Sequence, residues 1–339
     1  MTSEPGNGRT LLEIADLVTP MTIRVAATLG IADHITAGLQ TAEQLAAETD
    51  TDADALNRVL LHLVGAGILT KDGTGRYGLT GVGEQLRMDD RLHLNGGSGR
   101  PPWLDMKTAI GRAELSFVRL LDTVRTGEVA YHRHYGTTFW QDLSDESSWD
   151  DELYALAAQQ IVFDGDKVAK AYDWGALGDV VDVGGGDGTL LVTLLRAHPG
   201  LRGTLVDRAA ARASQTIREA GLDDRAQTIV GSFFDLLPRG AGGYILSRVQ
   251  SDWCDADVRT ILGRCAEAAG PGGKVFVVDE FATDEQAQAD TATDLRMLVY
   301  FGGRERTRAQ VRDLAGEAGL SEESIIRVGE WTIMKLTVC

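Results

Sequence analysis

Cysteine is scarce: three residues in 339, Cys254, Cys265 and Cys339. Their number is odd and no pair has a Cys-x-x-Cys spacing. That argues against a disulfide framework and a thiolate-held metal, and for reduced thiols in a cytosol. Positive charge is also short. Thirty-three Lys and Arg face 50 Asp and Glu, a net charge of −17. Such a field repels phosphate backbones and anionic lipid, so nucleic acid is not expected as the main partner. No stretch approaches the roughly 18 uninterrupted apolar residues of a membrane helix. The N-terminal MTSEPGNGRT has no apolar signal core, and a cytoplasmic location is expected. What is present is ordinary for a globular chain: 43% hydrophobic and 24% charged residues. At 339 residues, two domains are expected.

Residues 11–38 carry apolar residues at helical spacing, with Pro20 breaking or starting a helix. Thr41 opens a second helix, with Gln44 at the capping-box position. Residues 52–67 form another amphipathic helix, ended at Gly65 and Gly67, and KDGTGRYGLT reads as a hairpin around a DG turn. Helix, turn, helix and hairpin is the winged-helix order. DNA binding is disfavoured, because the would-be reading helix sets Asp52 and Asp54 against the single Arg58. A dimerisation and pocket-lining module fits the apolar helices better, and a homodimer is expected. This domain is placed at residues 1–105 and a helical connecting region at 106–149. Within the latter, 131–146 is expected to be irregular and aromatic. Residues 150–172 look helical again.

From Asp179 onward, strand-like runs alternate with helices, which implies an α/β, doubly wound, Rossmann-like domain over 150–339. Residues 324–337 read as an antiparallel edge hairpin. The informative run is Val180-Val181-Asp182-Val183-Gly184-Gly185-Gly186-Asp187-Gly188-Thr189. Glycines after a strand let the backbone turn and a ligand come close. A dinucleotide fingerprint would need glycine at 184, 186 and 189, and 189 is Thr. Asp182 at the strand end can accept hydrogen bonds from the loop or from a ligand ammonium. Asp207 ends the next strand, where a carboxylate can bridge both ribose hydroxyls. An ammonium, a ribose and a small carboxylate without pyrophosphate describe S-adenosylmethionine. No cluster with metal-ligand spacing is seen.

DVGGGDG, LVDR, GSFFDLLP, LSRVQSDWCDADV and DLRMLVYFGGRERT follow one another in an order that resembles the small-molecule O-methyltransferase family. Its members include plant phenolic and bacterial aromatic-polyketide methyltransferases. IADLVTPMTIRVAATLGIADHI and YGLTGVGEQLR resemble its dimerisation domain. The resemblance implies S-adenosylmethionine as cofactor and S-adenosylhomocysteine as product. It also implies an aromatic acceptor, and a homodimer formed through the N-terminal domain. Gly184, with Gly186, would hold the methionine end and Asp207 the ribose. Ser232 and Phe233 would contact the adenine, with Trp253 stacked near it. Ser247 and Arg248 would lie against the methionyl and sulfonium side. Ser232 departs from the family's more usual Asp.

The family's Leu-His-Asp-Trp supplies a histidine base for the phenol, whereas this chain reads Gln250-Ser251-Asp252-Trp253. The base position is Ser251, which takes no proton at neutral pH unaided. General-base help is worth ~10²–10⁴-fold, while positioning and desolvation supply much of a methyl transfer. Other candidates are Asp164, beside Phe163 in the helix that the family uses to line its pocket, and His132 and His134. Glu280 and Glu305 match the family's acids that orient the histidine. Asp294, Arg296 and Met297 in DLRML would face the acceptor, and Arg296 could bind a carboxylate or phenolate bidentately. Asp164 could equally be a polar helix face, and Glu305 a partner of a neighbouring Arg. The expected activity is O-methylation of an aromatic polyketide or aryl carboxylic acid in natural-product biosynthesis. The alternatives are a SAM-binding relative catalysing hydroxylation, decarboxylation or cyclisation, and a winged-helix regulator.

Overall fold

A computed structural model of the chain describes residues 10–88, 101–145, 165–208, 210–281 and 291–339. Two compact units divide after Leu115.

In the first unit, α1 (Leu11–Ile14) and α2 (Val18–Thr28) lead into α3 (Ile31–Thr36), α4 (Ala42–Thr49) and α5 (Ala53–Gly65). The expected capping box is present: Thr41 accepts from the Gln44 N–H, and the Gln44 side chain accepts from Thr41. Asp52 caps α5 by accepting the Ala55 N–H at 2.8 Å. Strands β1 (Leu69–Lys71) and β2 (Tyr77–Leu79) pair antiparallel around the DG turn. Asp72 holds that turn by accepting the Thr74 and Arg76 N–H groups. Ile31, Ile35, Leu45, Leu60, Leu63 and Tyr77 form the core. Leu11, Leu12, Leu17 and Val18 stay exposed. Helix α6 (Ala109–Leu115) closes the unit.

The second unit opens with α7 (Leu120–Thr126), α8 (Ala130–Tyr135) and α9 (Phe139–Asp145). The stretch read from sequence as irregular is therefore two short helices over its described part. Gly136, at φ +79°, breaks them, and the Thr138 hydroxyl accepts the Gln141 N–H to start the second. Tyr131 and Phe139 are buried, so packing decides the conformation that spacing left open. Helix α10 (165–171) precedes the sheet.

The sheet strands are β3 (Asp179–Val183), β4 (Arg202–Asp207), β5 (Ala226–Val230), β6 (Gly243–Ser247), β7 (Lys274–Asp279), β8 (Leu320–Val328) and β9 (Trp331–Val338). Their order is β5-β4-β3-β6-β7-β9-β8. Strands β3 to β7 are parallel, and β9 lies antiparallel between β7 and the edge strand β8. The intervening helices are α11 (Thr189–Ala197), α12 (Ala210–Glu219), α13 (Asp255–Ala269), α14 (Thr291–Tyr300) and α15 (Arg308–Glu317). After Asp179, β3 is buried throughout, as befits a strand covered on both faces. Trp174, Leu191, Leu195 and Phe276 fill one side of the sheet; Val181, Tyr244, Leu246 and Met334 fill the other. The strand order reverses between β3 and β6. In such sheets that point opens a ligand crevice at the carboxyl ends of the strands.

Candidate active site

Register sets the strand ends level. Val183 pairs with Val206, Asp207 with Val230, and Ser247 with Val278. The loops after β3, β5, β6 and β7 therefore emerge at one edge of the sheet, and Asp207 ends β4 there. The first loop is tied down by backbone bonds. Gly184 donates its N–H to the Val206 carbonyl at 2.8 Å, and Gly186 donates to the Asp207 carboxylate at 3.0 Å. Asp187 accepts from the Thr189 N–H and hydroxyl and so fixes the start of α11. Gly184, at φ +73°, also admits the Phe233 ring, which lies 3.2 Å from where a Cβ would sit.

Two polar side chains in this edge have buried atoms with no hydrogen-bond partner among the described residues. They are Asp182, through both carboxylate oxygens, and Ser247, through its hydroxyl. Asp182 is 1% exposed. Desolvation, helped by the negative charges of Asp207 and Asp187, pushes its carboxyl up to about 7. Buried polar groups are normally paired, so these unpartnered atoms stand out at the end of the sheet where a crevice is expected. An amino-acid ammonium against Asp182 is the complementary chemistry. Asp207→Ala should free the Gly186 N–H and raise the dissociation constant for S-adenosylmethionine by about 10–100-fold, the worth of a hydrogen bond to a charged group. Isothermal titration would measure it, and an unchanged constant would remove Asp207 from the site.

Beyond β5, the Ser232 hydroxyl accepts the Phe234 N–H at 3.2 Å. Phe233 and Phe234 stand edge-on to Trp253, at 5.5 and 4.9 Å between ring centroids. Trp140 of α9 lies nearly parallel to Trp253, at 6.5 Å and 13°. Beyond β6, Arg248 adopts the left-handed region at φ +54°. Ser251 sits half-buried in the short turn Gln250–Asp252, and its carbonyl accepts the Arg304 N–H at 2.9 Å.

Carboxylates gather beside Ser251. Desolvation, with Asp279 and Glu305 adding to it and Arg248 opposing it, pushes the half-buried Asp252 up to about 8. Burial also pushes Asp279 up to about 6, against Arg248, the Glu280 N–H and the Gln250 amide. Gln250 donates Nε2 to Asp279 at 3.3 Å. The Glu305 N–H donates to Asp294 of α14 at 2.9 Å, which brings two sequence candidates together. Arg296 and Met297 lie half-buried on α14. His132 and His134 are exposed on α8, the latter edge-on to Tyr135. Asp164 and Phe163 lie outside the described residues.

The O-methyltransferase domain model matches residues 117–321, and the O-methyltransferase dimerisation domain model matches residues 12–88. The chain belongs to the O-methyltransferase family. The 2,7-dihydroxy-5-methyl-1-naphthoate 7-O-methyltransferase of Streptomyces carzinostaticus is 49% identical over 96% of this chain and 97% of its own length. The aclacinomycin 10-hydroxylase of Streptomyces purpurascens is 43% identical over 95% and 87%. An O-methyltransferase of neocarzinostatin biosynthesis, solved with S-adenosylmethionine and 2-hydroxy-5-methyl naphthoic acid, superposes with a TM-score of 0.88. It is 47% identical, over 98% of this chain and all of its own.

Sequence reading of this O-methyltransferase missed Asp279 and Arg306. It matched Glu280 and Glu305 to the family's histidine-orienting acids and did not single out Asp279, one residue earlier than Glu280, whose carboxylate accepts from Gln250. Strand β7 is buried without a break from Val275 to Asp279, and Glu280 is the first residue beyond it to regain exposure, so an acid ending a doubly covered strand was the available signal. Arg306, in the charge-rich GRERT, reads as a surface residue; only its partners, distant in sequence, reveal it as buried.

Proposed function

We propose that this chain transfers the methyl group of S-adenosylmethionine to a hydroxyl of an aromatic small molecule, of polyketide or aryl carboxylic acid type, in antibiotic biosynthesis. The observation that carries this reading is the glycine cradle at Gly184–Gly188 beside the unpartnered Asp182 and Ser247. It stands in a family member 49% identical to a naphthoate O-methyltransferase. When bound, S-adenosylmethionine supplies an electrophilic methyl group on a sulfonium. Asp182 takes the ammonium and Asp207 the ribose. Ser232, Phe233 and Trp253 wall the adenine, and Ser247 and Arg248 flank the methionine end. Asp294, Arg296 and Met297 face the acceptor. A homodimer forms through residues 12–88, and the protein acts in the cytoplasm.

The Ser251 hydroxyl is far too weak a base to take the phenol's proton at neutral pH. Of the nearby carboxyls, burial raises Asp252 to about 8 and Asp279 to about 6, so near neutrality Asp252 largely keeps its own proton and Asp279 is the one ionised and able to accept. An acceptor hydroxyl acidified by a neighbouring carboxylate or carbonyl asks less of it.

A second reading is favoured by Ser251 together with the 43% identity to a hydroxylase. In it, S-adenosylmethionine is bound and not consumed. Incubation with hydroxylated naphthoates and aromatic polyketides, following S-adenosylhomocysteine and product mass together, separates the two. The methyltransferase reading expects one methyl gained per S-adenosylhomocysteine released. An altered product with no S-adenosylhomocysteine would replace it with the second. Given turnover, Ser251→His should speed methylation of unactivated phenols by about 100-fold, the lower end of what a general base contributes. It should leave acidified ones nearly unchanged.

A further inference from the structure

We infer that Arg306 is a positioning residue that shapes the Gln250–Asp255 segment, and with it Ser251 and Trp253, through one buried guanidinium. Arg306 is 1% exposed, between α14 and α15. Its Nη1 donates to the Gln250 carbonyl, to the Gln250 side-chain oxygen at 3.2 Å and to the Arg304 carbonyl at 3.4 Å. Its Nη2 donates to the Trp253 carbonyl at 2.7 Å and to Asp255 at 2.7 Å, and Nε donates to the same Asp255 oxygen at 3.0 Å. Every acceptor but one therefore lies in the segment that follows β6.

Besides Arg306, that segment is held by the Gln250–Asp279 bond, the Arg304 N–H on the Ser251 carbonyl and an Arg304–Asp255 ion pair at 3.5 Å. It contains one short turn, and α13 begins without a side-chain cap at Cys254. Without Arg306, the Gln250 and Trp253 carbonyls would lose these bonds, at a cost that buried polar groups rarely bear. The neighbouring backbone completes the clamp. Arg304 donates its N–H to the Ser251 carbonyl, and a Cβ on Gly303 would meet that same carbonyl oxygen at 2.1 Å. The fork also orients a side chain. Because Arg306 takes the Gln250 oxygen, the amide nitrogen of Gln250 is turned toward Asp279. A lysine has one compact charge and no planar fork, so it cannot serve this spread of acceptors. A buried ion is a poor way to add stability alone, whereas fixing one conformation of a segment is a use for which it is suited.

The kinetic arm of the test rests on the methyltransferase reading; the exchange arm does not. In the full chain, Arg306→Lys should speed amide hydrogen exchange of residues 249–254 by about 10-fold or more while β6 and β7 amides hold, since segments open locally. The kcat per folded molecule should fall about 100-fold, the usual effect of misplacing reacting groups by an ångström. The thermal midpoint, measured in parallel, defines the temperature at which the variant is folded. Unchanged exchange at 249–254, or a lowered midpoint with kcat intact in the folded protein, would overturn the proposal. Should Arg306→Lys not fold, Asp255→Asn removes the charge at the half-exposed end of the fork. It should give a smaller increase in the same local exchange and a kcat lower by about 3–10-fold, because one acceptor is weakened rather than the fork lost. Exchange unchanged in that variant would also sink the proposal. A wild-type protein that makes no S-adenosylhomocysteine would fail the methyltransferase reading and leave the exchange result to decide this one.

Discussion

Gly185→Ala is expected to raise the dissociation constant for S-adenosylmethionine by about 100-fold or more while leaving the protein folded. A Cβ at position 185 would lie 2.6 Å from an Asp182 carboxylate oxygen and 2.6 Å from a Leu205 methyl. Neither neighbour can swing away. Asp182 is 1% exposed within β3, and Leu205 is fully buried in β4. The loop must move instead, and the Gly184 and Gly186 bonds that set its path move with it. Overpacking of this kind costs about 1–3 kcal/mol of stability, which a chain of this size survives. The larger loss falls on a ligand that needs the backbone within contact distance. Gly200→Ala is the control, because nothing lies within 4 Å of a Cβ there. Titration calorimetry with thermal melts on both variants gives the answer. Cofactor binding by Gly185→Ala at wild-type strength would move the site away from the β3 loop.

Much of this edge was legible from local pattern alone. The glycine run, Asp182 within the strand and Asp207 at the next strand end are consequences of one strand-loop-helix unit. Every relevant contact there is either local or between adjacent parallel strands. The Thr41–Gln44 box was legible for the same reason. Residues made important by long-range pairing were not. Arg306 earns its burial from residues 51 to 56 positions away, and in sequence it is one more charge among GRERT. Asp279 and Glu280 are adjacent acids, and only the point at which the continuously buried strand ends separates them. The helices over 130–145 escaped because their aromatic residues obey packing and a glycine break rather than a clear period.

Asp182→Asn should stabilise the cofactor-free protein above neutral pH while weakening its hold on S-adenosylmethionine. The sign follows from proton counts. Between about pH 4 and about 7, the folded chain keeps a proton on Asp182 that the unfolded chain has released. The folded state binds more protons in that window, so its stability falls as pH rises through it and levels off above. A shift from 3.8 to about 7 is roughly three units, on the order of 4 kcal/mol. Asparagine has no such slope. Its own unpaired amide costs about 1–3 kcal/mol at every pH. The variant should therefore match the wild type near pH 5 and melt at a higher temperature near pH 8. Asp252 and Asp279 carry raised values in both proteins, so the difference between the two pH profiles isolates Asp182. In the proposed function a bound ammonium favours the charged form of this carboxylate and offsets that cost. Cofactor binding near pH 6 should then release a proton from the wild type and not from the variant. Calorimetry in two buffers of different ionisation heat reads this directly. The variant's dissociation constant should rise about 10–100-fold, as for a lost charged hydrogen bond. Equal proton release by the two proteins, or a wild-type stability that climbs from pH 5 to pH 8 as steeply as the variant's, would show that Asp182 is not the group that meets the cofactor's ammonium.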